Sequence, residues 1–523
     1  MKFYSFAVSL MLALFVMRPV HAQTVIVNQA TIGGYAEERS TSSFLNMNGT
    51  ILIAGHSYSE ISGDKAADFG GMDAWVLLLN ADYSINWQLI LGGDEHEYFP
   101  QVIGTSDGGY LIVCESNSPI SGNKTVAPIG EQDFWVLKLD SDGVIEWQNV
   151  YGGSGDEGLP VCVENADGNF IIAGYSDSPI SGTVTENTLG GDVWVLKIDA
   201  NGNVIWDKNL GGTDAENAED IIIDPNGDIL ITGRTKSGIS GNKTSVGYGG
   251  NDYWLIKIDD DGNIIFDKTY GGSSSDSRSR IACNNSSYYI SGESGSGISG
   301  VKTETNIGNE YDHDLWILKT DFSGNVIWDK TIGGTDFEWA QGGPVITSDD
   351  HVMIAASSIS PISGHKTQNN WQNDFWLVEL DTNGNVLWDK TIGGYYSESI
   401  TSIHQKGSNN FVLFGESDSP ISLHKDDSCR GAKDYWVIEF SSLVGVEEKA
   451  SDLLKIFPNP TSESVTFSQP VSQLEIVNLQ GQLVYSDYGT VIETADVAKL
   501  VPGIYIVKFT HDNNHYQQRL VVN

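Results

Sequence analysis

Basic residues are scarce in this chain. It contains 29 lysines and arginines against 69 aspartates and glutamates, so its formal net charge at pH 7 is −40. Nucleic acids and anionic membrane surfaces would repel a protein of this charge, and the basic patches that bind phosphates are missing from the sequence. The composition therefore argues against nucleic-acid partners. It leaves soluble proteins, cations and neutral glycans, and the charge itself helps to keep an exported β protein in solution.

Cysteines are also few. The four that occur do not recur at a fixed period and do not form the paired spacings of metal sites, which argues against a disulfide framework and against zinc. They are Cys114, Cys162, Cys283 and Cys429. We interpret the first three as small apolar residues buried on strands and place the fourth in a loop. A single disulfide bond stays open as an alternative.

Long apolar runs are absent beyond the N-terminal segment. Lys2, the apolar core "FAVSLMLALFV" and the Val20-His21-Ala22 sequence predict a cleavable signal peptide over residues 1–22. The apolar core is too short to predict a membrane span. We therefore expect an exported protein without a transmembrane segment.

One repeated pattern dominates the rest of the chain. Asp-x-Trp occurs seven times at steps of 59 to 62 residues and ends at Trp75, Trp135, Trp194, Trp254, Trp316, Trp376 and Trp436. A fixed period of this size indicates one supersecondary unit repeated many times. Each period contains four short apolar stretches separated by turns rich in Gly and Asp, with no helical periodicity. The sequence therefore predicts an all-β, seven-bladed β-propeller of four-stranded blades over residues 23–441.

The two ends of the repeat region predict how the ring closes. The strand that follows Asp-x-Trp elsewhere is missing after the seventh unit, whereas "TVIVNQATIGG" (24–34) is close to "NVIWDKTIGG" of the other units. We predict that Val25–Val27 form the outer strand of the last blade, which would remove an open sheet edge. The unit resembles NHL-type and bacterial β-propeller repeats. This resemblance implies that the strand after Gly-Gly is innermost, that "NFIIAG" is second, that Asp-x-Trp begins the third strand, and that the tryptophans pack between blades.

The composition changes after a predicted linker at 442–452. Alternating apolar residues with Pro and Gly between them predict a small β-sandwich over 453–523. The stretch resembles the type A C-terminal sorting domain of cargo of the type IX secretion system, through Pro458, Asn459, Pro460, Gly481, Pro502, Gly503 and Tyr505. The resemblance implies the translocon of that system as a partner. It also implies a secreted or outer-membrane-surface location and a tail that is commonly cleaved.

An acidic residue lies four positions after the Gly-Gly pair of every unit. The seven residues, named the acidic ring here, are Glu38, Glu97, Glu157, Glu216, Asp276, Glu338 and Glu398. In the implied strand order they begin the innermost strands, so we expect them around one mouth of the central channel. Two interpretations stay open: a site for Ca²⁺ or another cation, or carboxylates that accept backbone N–H groups of the inter-blade turns. Strict repetition favours the structural role, and no cofactor is firmly assigned.

Aromatic residues beside the acidic ring break the sevenfold repetition. They occur in units six, seven, one and two, which become neighbours when the ring closes, and form an aromatic arc of Tyr35, Tyr98, Phe99, Phe337, Trp339, Tyr395 and Tyr396. Aromatics beside carboxylates on one rim are typical of a glycan- or peptide-binding face. The alternative is that some of these rings turn inward and pack.

Catalytic motifs are absent from the sequence: it contains neither G-x-S-x-G nor H-E-x-x-H, and its ten histidines follow no useful pattern. We therefore predict a monomeric, secreted or cell-surface binding module for a glycan or protein ligand. The alternative function is an extracellular hydrolase or lyase that uses rim carboxylates on a polysaccharide.

Overall fold

The computed structural model describes residues 23–309, 312–443, 456–457, 461–478, 482–489, 491–511 and 514–522. The predicted signal peptide and most of the predicted linker lie outside these ranges. The chain divides into two compact units, one ending at Ser442 and the other beginning at Leu443. Within the described residues, no helix has the length and apolar character needed to cross a bilayer.

The first unit contains β1 (Gln23–Ile32) and then seven blades in chain order. Blade 1 has β2 (Glu38–Leu45), β3 (Ile51–Ser57), β4 (Asp73–Leu79) and β5 (Ile85–Leu91); blade 2 has β6 (Glu97–Gly104), β7 (Tyr110–Ser116), β8 (Asp133–Leu139) and β9 (Ile145–Tyr151). Blade 3 has β10 (Glu157–Glu164), β11 (Phe170–Ser176), β12 (Asp192–Ile198) and β13 (Val204–Leu210); blade 4 has β14 (Glu216–Ile223), β15 (Ile229–Thr235), β16 (Asp252–Ile258) and β17 (Ile264–Tyr270). Blade 5 has β18 (Asp276–Cys283), β19 (Tyr288–Ser294), β20 (Asp314–Thr320) and β21 (Val326–Ile332). Blade 6 has β22 (Glu338–Trp339), β23 (Pro344–Ile346), β24 (Val352–Ser358), β25 (Asp374–Leu380) and β26 (Val386–Ile392); blade 7 has β27 (Glu398–Gln405), β28 (Asn410–Ser417) and β29 (Asp434–Leu443).

The strands of each blade pair antiparallel in chain order from the centre outward, as the resemblance to propeller repeats implies. Inner strands of neighbouring blades contact one another from β2 through β6, β10, β14, β18, β23 and β27, and β27 contacts β2 again. The seven sheets therefore form a closed ring. The predicted fold class, an all-β protein of repeated four-stranded sheets, is confirmed. Blade 6 differs from the prediction because its inner strand is split into β22 and β23, which both pair with β24.

The Asp-x-Trp tryptophans fill the wedges between blades. All seven are buried to 1% exposure or less, and Trp135 of blade 2, for example, packs against Leu52 and Ala54 of blade 1. Each indole N–H donates a hydrogen bond to a side chain of the outermost strand of the same blade, such as Asp207 for Trp194 at 3.0 Å. The motif therefore supplies both the apolar wedge and a fixed polar contact that orients it.

The N-terminal strand closes blade 7, as predicted. β1 pairs with β29 as the outermost strand of that sheet. Gln29 of β1 accepts the indole N–H of Trp436 at 2.9 Å, which is the contact that Asp207 makes in blade 3. Thr31 accepts from the buried Nζ of Lys425 at 2.5 Å. The strand from the other end of the repeat region thus makes the side-chain contacts of a regular outer strand.

All four cysteines are free thiols in the structure. Cys114 and Cys162 are buried on strands, as predicted, whereas Cys283 is only half-buried because it lies at the end of β18. Cys429 lies in the loop before β29 and is also half-buried. Burial raises the pKa of the Cys162 thiol to about 12, which makes it unreactive.

The second unit is also all-β. Its strands are β30 (Ile456–Phe457), β31 (Ser464–Asn478), β32 (Leu483–Asp487), β33 (Ile492–Asp496), β34 (Gly503–His511) and β35 (Asn514–Val522). The long β31 pairs with β30 and β33 along its first half and with β32 and β34 along its second half, so it belongs to two sheets. Val465, Leu474, Ile476 and Val507 form the centre of its core.

The residues that carried the resemblance to a sorting domain are only partly described. Pro458, Asn459, Pro460 and Gly481 lie outside the described residues. Pro502 is exposed just before β34, and Gly503 begins that strand. Tyr505 is buried, and its hydroxyl donates to the carbonyl oxygen of Val501 at 2.6 Å. The Pro-Gly-Ile-Tyr segment therefore forms a tight entry into β34.

Candidate binding site in the central channel

The acidic ring lies at one edge of every blade but inside the protein. Glu38 is paired in register with Ser57, and Ser57 with Asp73, so blade 1 ends in a Glu-Ser-Asp row. The other blades repeat this row, with a threonine replacing the serine in blade 4 and an aspartate replacing the glutamate in blade 5. All seven acidic-ring side chains are 0% exposed. In blade 1, Glu38 accepts the N–H of Gly34 at 3.1 Å and hydroxyl groups of Ser57 and Ser59 at 2.9 and 2.6 Å. These bonds tie the loop after the Gly-Gly pair to the second strand.

Blade 3 allows a direct test of this structural role. Glu157 accepts the N–H of Gly153 at 2.8 Å and the hydroxyl of Ser176 at 2.7 Å, and burial raises its pKa. Glu157→Ala should lower the free energy of unfolding by about 2–4 kcal/mol because buried donors lose their acceptor. Glu146→Ala, at an exposed carboxylate paired with Lys138, should change it by no more than about 0.5 kcal/mol. Denaturant titration measures both.

The Glu157→Ala variant also tests the predicted cation site, through thermal melts with and without Ca²⁺. No group of three His, Cys, Asp or Glu side chains within the described ranges converges as metal ligands would. If the acidic ring is structural, adding Ca²⁺ or a chelator should leave the melting temperature of the wild type unchanged. A rise with Ca²⁺ that disappears in Glu157→Ala would instead support a cation site.

A cavity of 640 Å³ occupies the centre of the ring. One residue from every blade lines it at the position two residues after the acidic ring. These residues, named the channel ring, are Ser40, Phe99, Leu159, Ala218, Arg278, Ala340 and Ile400. The acidic ring is nearly invariant across the repeats, whereas the channel ring has six residue types in seven positions. Positions that repeat carry the fold, so the divergent channel ring is where the blades can differ in function.

Three channel-ring residues have a left-handed backbone. Phe99, Leu159 and Arg278 have φ values of 47°, 54° and 59°, and each lies at a β-bulge where the inner strand shifts register against the second strand. Positive φ is unfavourable for large side chains, and bulges re-aim side chains at sheet edges and near sites. The bulges present a phenyl ring, an isobutyl group and a guanidinium to the channel.

The aromatic arc divides into small clusters rather than one surface. Phe337 stacks on Trp339 with ring centroids 5.7 Å apart, and Tyr98 lies 6.3 Å from Phe99. Tyr395 meets Trp371, which the sequence analysis did not single out, at 5.3 Å. The side chains of Tyr35, Tyr395 and Tyr396 are exposed, and Phe99 is the one member of the arc among the residues that line the cavity. A binding role for the arc stays a prediction.

Blade 1 contributes a second aromatic group that the sequence analysis missed. His56 and Tyr58 line the cavity, and the His56 ring packs edge-on against Phe99 at 5.8 Å. Burial, together with the charge of Arg39, lowers the pKa of His56 to about 4, so its imidazole is neutral at pH 7. His56 is 8% exposed, and its Nδ1 has no hydrogen-bond partner among the described residues.

Arginine is the other feature that the sequence analysis missed. The chain has seven arginines, and four of them line the cavity: Arg39, Arg234, Arg278 and Arg280. Arg39 pairs with Glu37 at 2.8 Å and lies 3.6 Å from Glu416. Arg278 pairs with Glu293 at 3.1 Å. The available signal was the rarity of arginine in the chain combined with its placement on first and second strands.

The other two arginines have neutral partners. With the Asn217 amide turned so that its oxygen faces the guanidinium, Arg234 donates to that oxygen at 2.8 Å. Arg280 donates to the backbone carbonyl oxygen of Glu219. Neither Arg234 nor Arg280 forms an ion pair with a carboxylate of the described part of the chain. Arg280 interacts electrostatically with the Asp220 carboxyl group, but without an ion-pair contact.

Comparisons with known proteins give similarities of different strength. The regulatory protein FlaEY of Caulobacter vibrioides is 27% identical over 199 residues, which are 35% of this chain and 21% of FlaEY. The chain thus spans about a fifth of the length of that curated relative.

Two solved structures resemble the chain at low identity. A protein of unknown function from Dyadobacter fermentans is 11% identical, with a TM-score of 0.42, over 80% of this chain and 99% of its own. The Pan2 WD40 domain of Neurospora crassa is 9% identical, with a TM-score of 0.41, over 82% of this chain and 99% of its own. At these scores the similarities carry no conclusion about function.

The C-terminal residues give a specific match. Residues 455–523 match the family model of the secretion system C-terminal sorting domain. This range contains all strands of the second unit, from β30 to β35. The chain therefore carries a type IX secretion system sorting domain in residues 455–523, and it is a secreted or cell-surface protein.

Proposed function

We propose that the ring of blades is an exported binding module that takes a glycan at its central channel. The observation that carries this proposal is the contrast between the repeated acidic ring and the divergent channel ring around a 640 Å³ cavity. A cavity of this volume is within the range of small-ligand sites, which combine apolar walls with a few fixed polar groups. Phe99 and Leu159 supply apolar surface there, and His56 and Gln101 supply polar groups.

The wall composition favours a glycan over a flat protein surface. A sugar ring has an apolar C–H face that packs against aromatic and aliphatic side chains, and hydroxyl groups around its edge that need hydrogen-bond partners. Phe99 and Leu159 are partly exposed within the cavity, and Gln101 supplies an amide group on its wall. The acidic-ring carboxylates are enclosed, which favours binding over the hydrolase or lyase alternative.

The proposal predicts that binding depends on the aromatic residues of the channel and its mouth. Phe99→Ala should weaken binding of the best glycan on an array by roughly 10-fold, because it removes apolar contact area from the cavity wall. A similar loss in Trp339→Ala would show that the aromatic arc extends the site beyond the cavity. Tyr248→Ala is the matched control, since Tyr248 is exposed in a blade 4 loop outside the aromatic arc. Binding lost in the control to the same degree, or no binding to any glycan class, would count against a glycan-binding channel.

A further inference from the structure

The side chains that line the cavity carry a net formal charge opposite in sign to that of the whole protein, although two of the arginines pair with glutamates outside the lining, Glu37 and Glu293. Four arginines and two glutamates line it, in a chain whose formal net charge is −40. Both glutamates already have donors that lie outside the cavity lining. Glu219 accepts the N–H of Ser279 at 2.6 Å, and Glu416 pairs with Lys433 at 2.7 Å. The lining therefore holds more cationic than anionic side chains, although the protein as a whole is strongly acidic.

Ion pairing within the described chain does not account for Arg234, and Arg280 interacts with the Asp220 carboxyl group only beyond ion-pair distance. Neither guanidinium lies at ion-pair distance from a carboxylate within the described chain, and each donates to a neutral oxygen. A guanidinium presents a planar fork of N–H donors that matches the two oxygens of a carboxylate or sulfate. An unpaired guanidinium at a cavity wall is therefore preorganised for an anionic ligand.

The cationic and apolar surfaces occupy adjacent sectors of the channel. Arg234 belongs to blade 4, and Arg278 and Arg280 belong to blade 5; these three form the cationic wall. Phe99 of blade 2 and Leu159 of blade 3 form the apolar side, and the inner strands of blades 3 and 4 are in contact. A ligand that fits both surfaces has an apolar face and one anionic group at its edge.

We infer that the channel binds an acidic glycan, with the carboxylate or sulfate of one sugar residue held by the cationic wall and the sugar face packed on Phe99 and Leu159. This inference rests on the proposed glycan-binding function and narrows it to one ligand class. The net negative charge of the whole chain favours neutral or cationic ligands. An acidic ligand can still bind, because it contacts the cationic side chains of the channel and not the acidic outer surface. Short oligosaccharides fit this site better than long polyanions, which the acidic exterior would repel.

The first experiment compares ligands on the wild-type protein and needs no variant. Calorimetry at 0.15 M salt should be run with oligogalacturonates, with sulfated galactan oligosaccharides and with neutral galactan oligosaccharides of equal length. The expected result is at least 10-fold tighter binding of one acidic series than of the neutral series. Tighter binding of the oligogalacturonates would indicate a carboxylate ligand, and tighter binding of the sulfated series would indicate a sulfate ligand. Reducing the carboxyl groups of the oligogalacturonate to alcohols should abolish the gain if the carboxylate is the recognised group.

The second experiment removes the cationic groups one at a time. Arg234→Gln and Arg280→Gln should each weaken binding of the preferred acidic series by about 10- to 100-fold, the effect of losing a hydrogen bond between charged groups. Lys236→Gln is the matched control, because this exposed lysine follows Arg234 by two residues, lies outside the cavity lining and removes the same charge. Its affinity should equal that of the wild type. Thermal melts of the variants establish that each one is folded.

The possible results separate this inference from the proposed function. Equal binding of neutral and acidic series, unchanged by either arginine variant, would overturn the acidic-glycan inference and leave a glycan-binding channel intact. No binding of any oligosaccharide would overturn both. A polyglutamate peptide that binds as tightly as the acidic sugars, without loss in Phe99→Ala, would assign the cationic wall to a protein ligand and also overturn the inference.

Discussion

Deletion of Gln23–Ile32 should abolish the cooperative folded state of the propeller. This segment is β1, the outermost strand of blade 7. Without it, β29 becomes an open sheet edge, and the buried groups of Trp436 and Lys425 lose the acceptors that Gln29 and Thr31 provide. An exposed edge strand also templates association with other chains. We expect loss of the thermal transition and aggregation in size-exclusion chromatography.

A matched pair of substitutions on β1 tests its packing against blade 7 without removing the strand. Ile32 is 4% exposed and Val27 is 56% exposed on the same strand. Ile32→Ala should lower the free energy of unfolding by about 2–4 kcal/mol through a buried cavity, whereas Val27→Ala should change it by less than about 0.5 kcal/mol. A synthetic peptide of residues 23–34 added to the deletion variant should restore the thermal transition. A deletion variant that melts like the wild type would refute closure by β1.

The closure was predictable from the sequence because its signal is local. The residues of "NQATIGG" have the same spacing to Gly-Gly as those of a regular outer strand, and one strand was missing elsewhere. The burial of Trp436 and its equivalents was predictable for the same reason, since every blade repeats the motif. The split inner strand of blade 6 was not predicted. Gly342 and Gly343 precede Pro344 there, and proline has no N–H to continue the ladder.

The cationic wall was not predictable because nothing local connects its members. Arg234 and Arg278 lie 44 residues apart in sequence, on strands of different blades. They converge only because the inner strands face one axis, and Arg278 reaches the channel through a bulge whose position depends on inter-strand register. The alternation of apolar and polar residues predicts which side chains lie on each face of a strand, but it does not predict at which residue a bulge occurs. Each acidic-ring residue begins the inner strand of its blade, whereas its enclosure depends on hydroxyl groups of the second strand and the following loop, such as Ser57 and Ser59, which the sequence pattern did not reveal.

Stability should fall as pH rises from 6.5 to 7.5, which is unusual for carboxylates in folded proteins. The first residue of each Asp-x-Trp motif is buried, and those of blades 5 and 6 interact with the acidic-ring residue of the next blade. Burial, with the neighbouring Glu338, raises the pKa of Asp314 to about 8, and burial with Glu398 raises that of Asp374 to about 7. Because the two carboxyl groups of each pair are hydrogen-bonded, we expect each pair to share a proton in the native state. Above the ordinary carboxyl pKa the native state therefore binds more protons than the unfolded chain, so raising the pH favours unfolding.

Between pH 6.5 and 7.5 this effect is separated from that of the histidines and lysines, whose titration makes stability rise with pH. Burial lowers the pKa of His56 and His404 to about 4, so below pH 6.5 unfolding takes up protons on histidine and stability rises with pH. Burial lowers the pKa of Lys302 and Lys366, which face the two aspartates, to about 8. These lysines therefore oppose the trend mainly above pH 7.5. Between the two limits the carboxyl groups dominate.

Asp314→Asn should flatten this pH dependence. The amide can donate to Glu338 as the shared proton does, but it does not titrate, so the slope of unfolding free energy against pH should decrease by about 1 kcal/mol per pH unit. The difference in unfolding free energy between the variant and the wild type should therefore shift in favour of the variant when the pH is raised from 6.5 to 7.5. Asp321→Asn is the control, because the hydrogen bonds of Asn325 lower the pKa of this exposed turn carboxylate and it stays ionised throughout the interval. Equal slopes in the wild type and Asp314→Asn, measured by denaturant titration, would show that the pair holds no shared proton.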